Sequence, residues 1–214
     1  MAFELDIRHS ARADVLLRKV QRTIRGWLRG GLINAVWLAP PCWSMSRARN
    51  RPGGPPPLRD KDHPEGFSSL LAPIAKFSAS IFLLARSLMI PVAAENPHMS
   101  WLWDQPSWKQ CRHIFNVNEV VVDYCACGTS WRKRTRIIYC HVDLQPLAHL
   151  RCHWRSQCTF SGRAHVQLVG QDHAGRWLTH IAEPYPRLLC RLLVKQFKVA
   201  LMNIRVRGLV TYVA

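Results

Sequence analysis

Ala35-Val36-Trp37-Leu38-Ala39-Pro40-Pro41-Cys42 is the stretch on which the fold turns. Its apolar run reads as a short buried strand. Two prolines, which cannot donate to a sheet ladder, end it and leave Cys42 just past the strand's carboxyl end. Upstream, Leu16, Val20, Ile24, Trp27 and Leu28 share one face of a helix predicted over residues 14 to 29, with Asp14 as its start signal and Gly30-Gly31 as its stop. Downstream, Leu71, Ile74, Phe77, Ile81, Leu84 and Leu88 keep the helical period from Ser68 to Leu88. Pro91-Val92-Ala93-Ala94 then reads as a second buried strand, ending at Glu95-Asn96-Pro97. Val120-Val121-Val122, running into Asp123, and Thr135 to Tyr139 supply a third and a fourth. Strands alternating with helices predict an α/β fold with a mostly parallel sheet. Ligands of such sheets sit beyond the carboxyl ends of the strands, where Cys42 and Glu95 both fall.

The chain has 214 residues, enough for one domain with a sizeable core, and 48% of them are hydrophobic. Its 30 Lys and Arg against 13 Asp and Glu give a net charge of +17, spread along the sequence, which points to a polyanionic partner and to nucleic acid first, with ribosome-like or membrane-surface association as alternatives. The charged N-terminus, with Glu4, Asp6, Arg8 and Arg12, does not read as a signal peptide. The eight cysteines are therefore expected as reduced thiols in an intracellular compartment, cytoplasm or nucleus. Lys76, Arg86 and two prolines interrupt the longest apolar stretch, 70 to 94, so no membrane span is expected.

Cys42 is a thiol held on rigid backbone, and the arginines that follow it, Arg47, Arg49, Arg51 and Arg59, would favour the reactive thiolate. A lone cysteine is also a small buried hydrophobe. Glu95 at a second strand end tips the balance toward chemistry, because a carboxyl beside a thiol can act as acid or hydrogen-bond partner to a substrate. Residues 44 to 66 have the proline-rich, basic composition of a long loop. From Cys140 to His180 the character changes: Cys152, Cys158 and His165 have the types and spacing of a tetrahedral zinc site, with Cys140, His153 or His173 as the fourth ligand. Scattered structural residues are the alternative. Cys125-x-Cys127 is too tight for the usual zinc pair.

Three motifs follow one another in an order that matters. Ala39-Pro40-Pro41-Cys42 with Ser44 and Ser46, then Glu95-Asn96-Pro97, then Gly128 to Arg136 resemble the Pro-Cys, Glu-Asn and arginine motifs of C5 cytosine DNA methyltransferases. The resemblance implies a Rossmann-like S-adenosylmethionine-dependent methyltransferase fold. It implies that Cys42 adds to C6 of a flipped-out cytosine, that Glu95 holds the N3 and N4 edge, and that Arg134 and Arg136 orient the base. Which of Arg132, Arg134 and Arg136 matches is left open by Trp131, which stands where the family commonly has glutamine. Pro41, Ser44, Ser46, Arg47, Arg49 and Asn96 would face DNA, a duplex from which the target base must be extruded. Phe3 to Ile7 resembles the family's second strand, making Glu4 or Asp6 a ribose contact and Asp14 an adenine contact. The glycine-rich Phe-x-Gly-x-Gly loop that holds the cofactor is missing.

The expected organisation is a catalytic core over 1–139, a small Cys/His-rich insert over 140–180 where the family places target recognition, and a C-terminal helix and tail over 181–214. A rival to the enzyme is a catalytically silent DNA-binding module derived from one. A cysteine-dependent hydrolase is disfavoured, since no histidine follows in a clear strand-end position.

Overall fold

The computed structural model describes residues 10, 14–42, 45–47, 72–153 and 156–211, with the side chains of 205–211 left aside. The elements are α1 (Arg18–Arg29), β1 (Val36–Leu38), α2 (Ala72–Ser87), β2 (Val92–Pro97), α3 (Pro106–His113), β3 (Asn118–Asp123), β4 (Arg134–Cys140) and α4 (Arg187–Thr211). The protein is α/β, but its sheet is mixed rather than mostly parallel. The order is β1-β2-β4-β3. Only β1 and β2 pair in parallel, and β4 lies antiparallel to both β2 and β3. The expectation failed because β3 and β4 follow each other across only ten residues, too few for the crossover a parallel pair needs. Since β4 is reversed against both neighbours, β1, β2 and β3 still point the same way, and their carboxyl ends share one edge with the start of β4.

Strand alternation sends successive side chains to opposite faces. On one face Val92, Ala94, Ile138 and Cys140 pack with Ile24 and Leu28 of α1, Phe82 of α2 and Trp108 and Cys111 of α3. On the other, Ala93, Val120, Val122, Ile137 and Tyr139 pack with Leu189, Leu193 and Ala200 of α4. Val142, Leu144, Leu147 and Leu150 join this second core, so the chain leaves the core only beyond residue 150, not at Cys140.

Two boundaries bear on the site. β2 is longer than its apolar run and takes in Glu95 and Asn96, which pair with Ile137 and Arg136. After β3 the chain makes a 3-10 turn, Tyr124–Cys127, closed by Gly128 at φ 94°, a left-handed conformation that glycine adopts at little cost. That turn brings the chain back into β4. α4 runs well past residue 197, where the leucine-rich pattern ends. No helix among the described residues is long and apolar enough to cross a membrane.

Candidate functional site

The loop that carries Cys42 is pinned from both sides. Asn96 donates from Nδ2 to the carbonyl of Pro40 at 2.7 Å, and the Met45 N–H closes a turn on the Cys42 carbonyl at 3.1 Å. Met45 is buried and its own carbonyl accepts the Trp101 N–H at 2.9 Å. Asn96, expected to face DNA, therefore acts on the loop's backbone. Pro41 and Cys42 remain half-buried.

Glu95 faces the α4 side of the sheet, in line with Ala93 below it. Only 7% of it is exposed. Tyr185 donates its hydroxyl hydrogen to Oε1 at 2.7 Å, and Trp37 Nε1 donates to the Tyr185 oxygen at 3.3 Å, so the carboxyl is aimed by a two-step relay. Oε2 is buried without a hydrogen-bond partner among the described residues. An orphaned acceptor at that depth is costly, and a ligand donor is one way to satisfy it.

Lys133 stands on the same face of the sheet, in electrostatic reach of both Cys42 and Glu95. Its Nζ donates to the Ala182 carbonyl at 3.1 Å and lies 4.9 Å above the Tyr124 ring. Burial pushes the Cys42 thiol above its ordinary range; Lys133 pulls it down, while Glu95 and Glu183 add to the rise. Burial likewise raises Glu95, against Lys133 and the Tyr185 hydrogen bond. Burial thus favours the protonated thiol at Cys42; Arg49, Arg51 and Arg59 lie outside the described residues, and Arg47 does not offset that burial. The reason is placement: Arg47 lies over the Trp101 ring at 4.0 Å, pairs with Asp104 at 3.1 Å and donates to the Met99 carbonyl at 2.9 Å.

The expected arginines lie elsewhere too. By alternation with Thr135, Arg134 and Arg136 fall on the face opposite Glu95. Arg134 grips Asp123 through Nε at 3.0 Å and a terminal nitrogen at 2.9 Å, and the same terminal nitrogen reaches the Cys152 carbonyl at 2.9 Å. Arg136 lies 3.6 Å from Glu119 and 5.8 Å from the Trp103 ring. Lys133, Tyr124 and Tyr185 are the residues around Glu95 that sequence motifs missed. Alternation back from Thr135 puts Lys133 on the Glu95 face only once the register of β4 against β2 is known. Asp14 accepts the Leu16 N–H at 2.8 Å in a turn ahead of α1. Ser46 is half-buried beside Arg47. Glu4, Asp6, Ser44, Arg49 and most of the basic loop lie outside the described residues.

A second site stands at the end of β3. The ligand atoms of Cys125, Cys152, Cys158 and His165 all lie within 4.8 Å of one another, a Cys3His group that could hold a metal ion. Cys125 replaces Cys140, which is buried on β4 among residues of the α1–α3 core. The tight Cys125-x-Cys127 spacing misled because only the first of the two thiols turns to the cluster; Cys127 packs in the α4 core. The donor set fits a metal. The Thr159 N–H points at the Cys152 sulfur at 3.4 Å, and the Cys158 sulfur accepts backbone N–H groups of Phe160 and Ser161. Such bonds stabilise metal thiolates. Three sulfurs this close repel one another once ionised, so the group needs a cation to ionise fully.

Asp123 ties this cluster to the sheet. Fully buried, it accepts Arg134 and the Cys152 N–H at 2.8 Å. No family model, no curated protein and no solved structure matches this chain, so its function has to be read from the arrangement of its own residues.

Proposed function

We propose that this chain is a DNA cytosine-C5-methyltransferase-like domain that captures a flipped-out cytosine covalently on Cys42. The observation that carries it is Glu95: a buried carboxyl with one oxygen aimed by Tyr185 and the other unpartnered, in electrostatic reach of the Cys42 thiol at the carboxyl edge of the sheet. Burial favours the protonated carboxyl, the form that can donate to N3 of the base. Sulfur bonds to C6 as the thiol proton leaves to water. The C5–C6 π pair moves to C4–C5, the C4–N3 π pair moves onto N3, and N3 takes the Glu95 proton. Cleavage of the C–S bond reverses each transfer. Lys133 steadies the thiolate as it forms and the carboxylate left behind.

S-adenosylmethionine would supply the methyl group for C5, and two of the three residues expected to hold it, Glu4 and Asp6, lie outside the described residues. Asp14, the third, spends an oxygen on its own turn. The proposal therefore concerns base capture. Zinc is the metal proposed for the Cys3His group, because three sulfurs and one imidazole in a closed tetrahedral set are its preferred structural ligands. Its part is to cross-link the segment after residue 150 to the end of β3. The net charge of +17 supports a polyanionic partner, and DNA among such partners follows from the resemblance of the Cys42, Glu95 and arginine motifs.

A denaturing gel tests the capture. The protein is incubated with a duplex carrying 2-pyrimidinone at one cytosine position, with and without S-adenosylmethionine, beside Cys42→Ser. A slow-migrating adduct that depends on Cys42 is the expected result. Tight DNA binding without any adduct would make the chain a silent binding module, a reading that the raised thiol also favours.

A further inference from the structure

Next to the metal cluster, a cleft of about 270 Å³ is lined by Arg132, Arg134, Arg151, Cys152 and His153. Its wall is almost wholly polar and cationic. Asp123 is the acid beneath it, and that carboxylate is buried and already engaged by Arg134 and the Cys152 N–H, with Arg132 at 3.9 Å. His98 lies in electrostatic reach of Arg134 and Arg151 and of Arg136, beside which stands Glu119. Burial first, then Arg136, Arg134 and Arg151, hold the His98 imidazole below its ordinary range, so the edge is positive as a whole.

We infer that Arg132, Arg151 and His153 form a phosphodiester-binding cleft for the DNA backbone, held in shape by the metal at Cys125, Cys152, Cys158 and His165. The inference rests on the DNA and metal readings above and adds where the backbone is gripped and what keeps the grip in place. Guanidinium forks match phosphate oxygens in geometry and charge. Arg151 is exposed, yet its backbone is fixed on both sides: Asp123 N–H donates to the Leu150 carbonyl at 2.7 Å, and Cys152 is bound by Asp123, by Arg134 and through its sulfur. His153 is held through its N–H on Thr159 Oγ1 at 3.1 Å, the residue whose own N–H meets the Cys152 sulfur. Loss of the metal releases the Cys152 sulfur and with it the Thr159–His153 side of the cleft, leaving Cys152 held only by its backbone bonds to Asp123 and Arg134. Arg132, Lys133 and Arg134 alternate in direction, so one short segment serves the phosphate cleft on one face and the thiol pocket on the other.

The test uses the full chain with its metal content measured. DNA affinity is followed by fluorescence anisotropy over a salt series for wild type, Arg151→Ala and the control Lys109→Ala, which changes an exposed lysine of α3. Each is run as purified, after chelation, and after refilling with Zn²⁺; inorganic phosphate is added as a competitor. Expected are one metal per chain, a roughly five- to tenfold weakening and a salt slope smaller by about 1 for Arg151→Ala, and no change for the control. Chelation should weaken wild type to the same level, Zn²⁺ should restore it, and Arg151→Ala should add nothing in the metal-free protein. A metal-loaded Arg151→Ala that binds DNA as wild type does overturns the cleft while leaving the metal standing. Zero metal per chain overturns the stake, and an unchanged DNA affinity despite phosphate binding overturns the nucleic-acid ligand.

Discussion

Two cysteine sites stand at the same edge of one sheet and have opposite chemistry. Cys42, past β1, is a single thiol among a carboxyl, two tyrosines and one lysine, and burial keeps its proton on. Cys125, past β3, is one of three sulfurs gathered with an imidazole, where N–H groups converge on the sulfurs and a cation is wanted. Both thiols follow the carboxyl end of a strand, Cys42 in a proline-led loop and Cys125 in a 3-10 turn. What differs is how many soft ligands the fold brings within reach, and whether a carboxyl or another thiol is the nearest acid. Arg134 and Lys133 mark the divide: neighbours in sequence, one braces the metal side through Asp123 and the other faces the thiol pocket.

Ranked by effect on stability, five changes would break or sharpen this contrast. Chelation, or Cys125→Ser, should cost on the order of 5 kcal/mol, with the loss of amide protection confined to residues beyond 150 and the sheet left protected in hydrogen exchange. Equal loss across both cores would mean that the cluster is no separate cross-link. Arg134→Ala leaves the buried Asp123 with Arg132 at 3.9 Å as a poor substitute and should cost about 3 kcal/mol in urea unfolding. A cost below about 1 kcal/mol would remove Asp123 as the tie between the two sites.

Glu95 has a raised folded-state titration, so its contribution is complete below the ordinary carboxyl range and is lost as pH rises through the raised value. Stability in that window should fall by up to about 1.4 kcal/mol per pH unit, and Glu95→Gln should flatten the slope. A slope unchanged in the variant would assign it to another group. Tyr185→Phe removes the hydrogen bond to Oε1, at about 1 kcal/mol, and should also slow adduct formation by leaving the carboxyl less well aimed. Stability lost with adduct rate intact would make Tyr185 a packing residue only. Cys42→Ser should be the smallest in stability, under about 1 kcal/mol, yet abolish the adduct; an adduct that survives it would move the nucleophile elsewhere.

Local pattern carried the elements well. Apolar runs and helical spacing found β1 to β4, α1, α2 and the start of α4, because burial imposes those periods directly. The pattern failed where tertiary contacts override it. Glu95 and Asn96 read as the end of a strand, yet they extend β2, since Ile137 and Arg136 of β4 pair with them across the ladder. α3 went unread because its Pro106–His113 segment has few apolar residues and owes its place to buried Trp108 and Cys111.

Cys42 and Glu95 stood out in the sequence because each ends or nearly ends an apolar run, and strand ends of one direction meet at one edge. Cys152, Cys158 and His165 were legible from type and spacing. Residue order alone could not supply their fourth partner, since Cys125 lies 27 positions before Cys152 and reaches it only through the turn after β3. Nor could order say which face of the sheet each basic residue takes, because a shift of one residue in a strand reverses the face. The sequence by itself determined the α/β class, the two candidate chemistries and the positive charge. Tertiary structure alone decided the antiparallel β4, the choice of Lys133 over Arg134 for the thiol pocket and the choice of Cys125 over Cys140 for the metal, because contacts between distant segments depend on strand register and chain direction, which local periodicity does not encode.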